Sequence, residues 1–348
     1  MATGGPLRSM RSAAALLAIQ QLDSLGESGA VQHALLTDVL DPYLDEQRAS
    51  LAGHLAEADA EIERCEAAGV RVRSIFDEDF PARQRTSHDK SPVLYIRGNE
   101  ELLRREGVVA IGGANDPDAA ALEAVDQIVA GVKEAGWALT AVIGPGVEGG
   151  ALEAAVAAGV PTIGVLPCGF EGLPFEHYDL SAAIIESGGT LVGVARAYLP
   201  TTAPGRRNSG RVASTQAILL ILVGGAKKSP AMSLALGAAL QGRPVFCTPP
   251  PPGEDVEYDG TRAFLQKPAG SLPDEGIPVF RNRRYIAGRE LGEERFARPI
   301  DPGRAKEFVA TLEAQLDVER ADPPKARWWL RPPARPENDA KTQRSHVS

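Results

Sequence analysis

Short apolar runs alternate with alanine-rich amphipathic stretches from about residue 73 to residue 253 of the chain. Seven of the runs have the length and the apolar, often β-branched content of strands, and they cover residues 93–96, 108–111, 138–143, 162–166, 190–194, 217–223 and 245–248. The run at 217–223 is almost wholly apolar, as a strand buried on both faces requires. Because strands that alternate with helices form a parallel sheet with helices on its faces, the pattern predicts an α/β fold with an extended, Rossmann-like, parallel-rich sheet.

Three helices are predicted between these strands. Residues 118–135 carry apolar side chains on one face, and the preceding Asp116-Pro117 pair has the chemistry of an N-cap followed by a first-turn proline. Residues 150–158 form the second helix. Residues 229–242 form the third, which starts with a serine and a proline and ends with a glycine. These helices supply the crossovers that parallel strands need.

The chain on either side of this region has a different pattern. Residues 12–70 are rich in alanine, leucine and glutamate at helical spacing. Residues past 253 are rich in proline and charge, with one helical stretch near 304–316, and the composition past residue 322 predicts a tail without fixed structure. We therefore expect three parts: an N-terminal helical segment at 1–72, a Rossmann-like domain at 73–253, and a partly disordered C-terminal extension at 254–348.

Composition narrows the classes of protein to which this chain can belong. With 37 Lys and Arg against 46 Asp and Glu, the net charge is −9, which excludes a coat of positive charge but leaves room for a local basic face. The three cysteines, Cys65, Cys168 and Cys247, lie too far apart for a disulfide framework or a zinc motif, and they predict a reducing cytoplasm. No apolar run approaches the roughly 20 residues of a membrane span. The five histidines follow no metal-binding spacing, so we expect neither a membrane nor a metal.

Glycine follows four of the predicted strands. In an open parallel sheet, ligands bind at the carboxyl ends of the strands, where glycine lets backbone N–H groups approach an anion. The pattern predicts a phosphate-binding edge formed by Gly112, Gly113, Gly144, Gly146, Gly169, Gly224 and Gly225. At each position, a glycine that only permits a tight turn is the alternative.

Basic and polar side chains stand beside two of these strands. Arg206 and its neighbours precede the strand at 217–223 in what reads as a turn, and a second group follows that strand. Arginine clamps phosphate with two hydrogen bonds, so we predict phosphate contacts from Arg207, Asn208, Arg211, Lys227, Lys228 and Ser229. Solvated loops without a ligand are the alternative.

Other candidate chemistry is weaker. Residues 144–149 match the spacing G-x-G-x-x-G, but Pro145 removes a donor and no acidic residue ends the next strand, so we expect no dinucleotide and no other cofactor. Glu148 is either an orienting carboxylate or a surface acid at a helix start. His177 stands in no nucleophile pattern, so we expect no catalysis from it.

Several segments, taken in chain order, have counterparts in one known family. The stretch 91–99 (SPVLYIRGN) is similar to "PPvLyvkGn", 159–169 (GVPTIGVLPCG) to "G.TIAVl..G", and 242–246 (GRPVF) to "gR.Vfa". Residues 207–213 stand near "RNRiIa", and 249–253 at "vPG". Together they resemble the DNA-processing protein A (Smf) family, from Phe80 to about Gly253.

The chain departs from the family pattern at polar positions. Asn115 replaces the arginine of "GtR", Glu148 the aspartate of "GID", and Leu152 the histidine that follows it. Gly224 or Gly225 stands where the family has the glutamate of "VvEA". The resemblance is therefore to a divergent member with degenerate motifs.

The resemblance implies a function in DNA processing. The family has an extended Rossmann domain that binds single-stranded DNA and hands it to a RecA-type recombinase during DNA uptake, natural transformation and recombination. It also implies a homodimer formed through that domain, for which the apolar helix at 229–242 is a candidate contact. On this reading the protein is a cytoplasmic, non-catalytic accessory protein without a cofactor.

A second hypothesis stays open at this point. The same scaffold occurs in small-nucleotide-binding sensors and in phosphoribohydrolase-like proteins, which would make the chain a nucleotide binder or an enzyme. Their "PGGxGTxxE" motif is absent, and residues 144–153 are only distantly similar to it. This absence favours single-stranded DNA as the partner.

Overall fold

The computed structural model describes residues 12–21, 48–87, 91–253, 255–281, 285–286 and 289–322. Nine of its strands form one mixed sheet: β1 (Arg71–Ser74), β2 (Val93–Gly98), β3 (Val108–Gly113), β4 (Ala138–Val142), β5 (Thr162–Val165), β6 (Thr190–Gly193), β7 (Leu219–Val223), β8 (Val245–Cys247) and β11 (Arg298–Pro299). Their order is β1-β2-β6-β5-β4-β3-β7-β8-β11. A separate antiparallel pair consists of β9 (Tyr285–Ile286) and β10 (Arg289–Glu290).

Strands β3 to β8 and β11 run parallel, and β1 and β2 close one end of the sheet in antiparallel pairing. All seven strands expected from the sequence are present. Strands β3, β4 and β7 are buried along their whole length, which explains why their sequences show no polar alternation. The predicted α/β, parallel-rich fold is confirmed.

Ten α-helices accompany the strands among the described residues. They are α1 (Ala13–Gln21), α2 (Arg48–Ala67), α3 (Ala82–Thr86), α4 (Ala119–Glu134), α5 (Val147–Ala158), α6 (Tyr178–Glu186), α7 (Ala203–Gln216), α8 (Pro230–Leu240), α9 (Asp259–Gln266) and α10 (Ala305–Ala321). The cap of α4 is Asp118, whose carboxylate accepts a hydrogen bond from the backbone N–H of Ala121 at 2.7 Å. The sequence prediction placed this cap at Asp116, two residues too early.

Helix α7 corrects a second expectation, because its residues read as a turn in the sequence. Thr202 caps it by accepting a hydrogen bond from the N–H of Gly205, and Pro204 stands in its first turn. The hydroxyls of Ser209, Ser214 and Thr215 each donate to the carbonyl one turn earlier. Burial of the second half of the helix outweighs its two glycines and its weak helix formers.

Two apolar layers sandwich the sheet. On one face, α4, α5, α6 and α10 contribute Val125, Ile128, Leu152, Ile184 and Phe308. On the other face, α1, α2, α7, α8 and α9 contribute Leu16, Ala58, Val212, Ala235 and Phe264. The N-terminal helical segment and the C-terminal extension are both part of the central core. Helices α1 and α2 pack beside β1, and the extension adds β11, α9 and α10.

Helix α8, which the sequence suggested for contacts between two copies, lies inside the molecule. Met232, Leu234 and Leu236 are buried. No helix among the described residues combines the length and the apolarity that crossing a bilayer requires. The predictions for residues 1–11, 22–47 and 323–348 fall outside the described residues.

Candidate functional site

The carboxyl ends of six parallel strands, β3 to β8, meet at one edge of the sheet. The turn after β4 lies near its centre, between the start of α5 and the start of α7. Gly146 has φ +79°, and a Cβ there would lie 2.4 Å from the carbonyl oxygen of Ala114. A side chain at Gly144 would meet both terminal nitrogens of Arg206 at 2.9 Å. The two glycines therefore let the chain turn sharply beneath an arginine.

Arg206 pairs with Glu148 across this turn, with 3.5 Å between Nη2 and Oε2. The side chain of Glu148 is only 12% exposed. Burial raises the pKa of Glu148 to about 7, and the nearby Arg206 opposes that rise. The pair thus places a carboxyl group that titrates near neutral pH beside a guanidinium at the edge.

The other predicted side chains of α7 divide between surface and interior. Arg207 is exposed and has no ion pair among the described residues, and Asn208 is half-buried beside it. Arg211 is buried one turn later, with Nη2 3.4 Å from the hydroxyl of Ser91. The structure therefore brings Gly144, Gly146 and Arg206 together, and Arg207 and Asn208 follow Arg206 on α7. We call these five residues the arginine half of the edge.

The turn after β7 is covered by a later part of the chain. The N–H of Gly225 donates to the carbonyl of Glu257 at 2.6 Å, and its carbonyl accepts from Gly260 at 3.0 Å and Thr261 at 3.2 Å. The ring of Tyr258 lies against Gly224. The backbone N–H of Gly225, which was predicted to approach a phosphate, is therefore bonded within the chain.

The two lysines at this turn differ from each other: Lys227 is bonded within the chain, and Lys228 is exposed. The N–H of Lys227 donates to Asp259 at 2.6 Å, and its Nζ pairs with Glu275 at 3.2 Å. The Ser229 hydroxyl donates to the carbonyl of Ala226 at 2.8 Å. Lys228 is exposed, and no ion pair involves it among the described residues. We call the turn with Gly224, Gly225 and Lys227 the covered half.

The remaining predicted glycines pack against neighbouring elements. A Cβ at Gly113 would lie 2.1 Å from the carbonyl of Val223, and one at Gly112 would lie 2.2 Å from Leu234. The N–H of Gly169 donates to the carbonyl of Leu199 at 2.9 Å. A Cβ at Gly169 would lie 2.0 Å from the carbonyl oxygen of Arg196. Gly113 and Gly169 therefore require glycine for close packing against backbone, whatever ligand binds nearby.

A model of the DNA recombination-mediator protein A family matches residues 71–276, more than half of the chain. The chain belongs to this family. The resemblance read from the sequence is thereby confirmed. The matched range ends at Gly276, so it includes Glu257, Gly260 and Thr261, whose backbone groups bond to Gly225 in the covered half. The domain boundary that we expected at residue 253 lies inside the matched range.

Individual relatives agree with this assignment. The DNA processing protein DprA of Bacillus subtilis is 26% identical over 185 residues, which is 52% of this chain and 61% of that protein. The chain thus spans about three-fifths of that relative's length. DNA processing protein A of Helicobacter pylori, whose single-stranded DNA binding mode has been described structurally, superposes with a TM-score of 0.53 at 20% identity, over 70% of this chain and 96% of that one.

DprA of Streptococcus pneumoniae superposes with a TM-score of 0.57 at 15% identity, over 86% of this chain and 93% of that one. At these identities the superpositions establish the family's fold for this chain. All three cysteines of this member are buried, and burial raises the pKa of Cys168 and of Cys247. Among the described residues, no cluster of side chains has the composition of a metal site.

Proposed function

We propose that this member of the DNA recombination-mediator protein A family is a non-catalytic accessory protein that binds single-stranded DNA at the arginine half. One observation carries the proposal. Arg206 lies over the glycine turn after β4, on the edge of the sheet where such folds bind ligands, and the exposed Arg207 follows it at the start of α7. The single-stranded DNA binding of the Helicobacter pylori relative supports the same ligand.

Phosphate contacts are local, so the net charge of −9 does not oppose this function. Arg207 has no competing carboxylate among the described residues, and its guanidinium is free to form two hydrogen bonds with a phosphate. Within the described part of the chain, Arg206 pairs with Glu148, which holds it over the turn. Such contacts fix the strand without reading its sequence.

The experiment is a binding titration of fluorescently labelled oligo-dT over a range of salt concentrations. We expect Arg207→Ala to weaken binding and to reduce the slope of log K against log salt by up to about 0.7, the value for one phosphate of a single strand. Arg97→Ala is the matched control, because Arg97 is an exposed arginine on β2 at the opposite edge of the sheet. Equal affinities and slopes for the two variants would contradict the proposal.

We further infer from family membership that the bound strand passes to a RecA-type recombinase in the cytoplasm, in DNA uptake and recombination, and that the protein acts as a homodimer. Since α8 is internal, contacts between copies must involve other surfaces. Light scattering across the micromolar range tests the dimer, and a monomer throughout would exclude it. Recombinase-dependent strand exchange, with and without the protein, tests the transfer.

A second candidate function follows from Glu148. A carboxyl group whose pKa is about 7 can hold or release a proton at neutral pH, as acid–base chemistry on a small nucleotide requires. A thermal-shift panel of nucleotides separates the two functions. A rise in Tm with a nucleotide, together with no binding of oligo-dT, would favour the nucleotide-binding or hydrolase function.

A further inference from the structure

Exposed aromatic side chains concentrate in the two segments that follow β5 and β6 at the carboxyl edge. Seven large apolar side chains are exposed among the described residues, and three of them are aromatic: Phe175, Tyr178 and Tyr198. Phe175 is 83% exposed and Tyr198 is 52% exposed. The first two follow β5 and the third follows β6, next to Leu199, which is exposed as well. We call these three rings the aromatic surface.

The two loops form a single layer. The N–H of Glu171 donates to the carbonyl of Ala197 at 2.7 Å, and that of Gly169 donates to the carbonyl of Leu199 at 2.9 Å. Gly172 lies so close to the second loop that a Cβ there would be 2.3 Å from the carbonyl oxygen of Leu199. Because the backbones are joined, the three rings are displayed by one connected structure.

This layer adjoins the arginine half. The hydroxyl of Ser209, on α7, donates to the carbonyl of Leu166 at 2.6 Å, at the start of the first loop. A Cβ at Gly205 would lie 2.8 Å from the carbonyl oxygen of Pro167. The start of α7, which carries Arg207, therefore packs directly against the loop that leads to Phe175.

The rings are held by neighbours rather than left loose. Phe175 and Tyr178 meet edge to face with their centroids 5.6 Å apart. The guanidinium of Arg196 lies 5.6 Å from the centre of the Tyr198 ring. Arg196 is itself fixed by a hydrogen bond to Glu61 at 2.6 Å. Rings that are already positioned lose little conformational freedom when a flat ligand stacks on them.

Charge separates the two parts of the surface. Glu176 and Asp179, both exposed, flank Phe175 and Tyr178 and would repel phosphates. Arg207 attracts them on the α7 side. A neutral, flat group fits the aromatic side, and an anionic backbone fits the arginine side. A single strand has both, since its bases project away from its phosphates, and aromatic rings bind such bases whatever their sequence.

We propose that Phe175 and Tyr198, with Tyr178 beside them, stack on bases of a single strand whose phosphates lie along Arg207. The inference rests on the proposed function, which it extends from a phosphate-binding edge to a base-binding surface. A second copy of the chain or another protein is the competing occupant of these rings.

The test compares two ligands of equal length and charge: (dT)12 and a twelve-unit abasic strand. We expect Tyr198→Ala and Phe175→Ala each to weaken (dT)12 binding by about fivefold or more, the lower end for one stacked base. Binding of the abasic strand and the salt slope should stay as in the parent, because no phosphate contact is lost. Tyr198→Phe should keep full affinity. Val318→Ala, at an exposed apolar position on α10, is the control.

Four outcomes would overturn the proposal. Parental affinity of both alanine variants for (dT)12, with Arg207→Ala still weakened, would exclude base stacking and leave the proposed function intact. An equal loss on both ligands would assign the rings a role other than stacking, and a change of oligomeric state in Phe175→Ala would assign them to contacts between copies. Failure of the parent to bind (dT)12 would remove this inference and the proposed function together.

Discussion

At the scale of single residues, Glu148 couples stability to pH. Its carboxyl group has an ordinary pKa of 4.5, which burial raises to about 7 in the folded protein. Between these values the folded state keeps a proton that the unfolded state has released. The free energy of unfolding therefore falls by at most about 3 kcal/mol as the pH rises from about 4.5 to about 7. Above that pH this contribution stays constant.

The variant Glu148→Gln removes this dependence. We expect it to match the parent near pH 4 and to exceed the parent's free energy of unfolding by about 1–3 kcal/mol at pH 8, because the parent alone then carries a buried charge. Urea denaturation of both proteins at several pH values measures the difference, in which the other titrating groups cancel. A difference that does not change with pH would refute the assignment.

Two glycines four residues apart make a matched pair of predictions. Gly146→Ala should lower the free energy of unfolding by about 1–3 kcal/mol, because its φ is +79° and a Cβ would clash with Ala114. Gly150→Ala should raise it by up to about 1 kcal/mol, since Gly150 lies in helix α5 and a Cβ there would make only an ordinary contact with Leu122. Thermal unfolding of both variants measures the contrast, and changes of the same sign would contradict it.

The glycines also mark a limit of sequence reasoning. A glycine after a strand reads the same whether it admits a phosphate or a neighbouring strand. Gly113 packs on Val223, and Gly225 bonds to Glu257, 32 residues further along the chain. Nothing local predicts such partners. The positions of the turns could be predicted, but which backbone groups are already bonded could not.

At the scale of elements, one carboxylate fastens α2 to the end of the sheet. Glu61 is buried and accepts hydrogen bonds from the hydroxyl of Tyr95 at 2.8 Å, from the N–H of Ala197 at 2.8 Å, and from Nε of Arg196 at 2.6 Å. These three donors come from β2 and from the loop after β6. The N-terminal helices are thus tied to the same loop that carries Tyr198.

Replacing Glu61 with alanine should lower the free energy of unfolding by about 3 kcal/mol, because it leaves Arg196 half-buried without its carboxylate. Hydrogen exchange in α2 should also become faster than in the parent. Glu57→Ala is the control, since Glu57 is an exposed acid on the same helix. Equal exchange rates in the two variants would mean that packing alone holds α2.

The elements that the sequence predicted well and poorly differ in their physical basis. The central strands form because of their own apolar runs, so they were found to within one or two residues. Helix α7 forms because the residues from Ser209 to Gln216 are buried by their neighbours. The glycines at 205 and 210 are weak helix formers, so the sequence pattern does not predict this helix. Arg206, Arg207 and Arg211 were therefore assigned to a turn although they stand on a helix.

At the scale of the whole molecule, the C-terminal extension closes the core. Phe308 and Leu312 of α10 are fully buried, and Phe308 fills the space left by Gly131 of α4. Glu319 pairs with Arg83 at 3.0 Å and also with Arg243, whose side chain is buried. The sequence predicted a helical stretch near 304–316 but not its packing, because prolines and charges obscure a two-residue strand and the tertiary contacts of a polar helix.

Truncation tests this closure. Removing residues 304–348 should lower the free energy of unfolding by several kcal/mol, about 1.5–3 for each apolar side chain lost from the core, with a further loss because Arg243 is left unpaired. Removing only residues 323–348 keeps all of these contacts and should change stability by less than about 1 kcal/mol. Urea denaturation of both truncated chains measures the contrast. Equal stability would mean that α10 contributes nothing to the core.

The two outermost strands have a consequence for growth of the sheet in solution. An outer strand with free backbone groups can template strands from other molecules and so begin a fibre. Strand β1 carries the charged Arg71 and Arg73 at one margin, and β11 at the other is two residues long and includes Pro299, which has no N–H to donate. Neither edge strand therefore has a long, uncharged row of backbone groups with which another strand could pair. Copies of this protein that meet at high concentration are therefore expected to associate through helices and loops, and not to polymerise strand by strand.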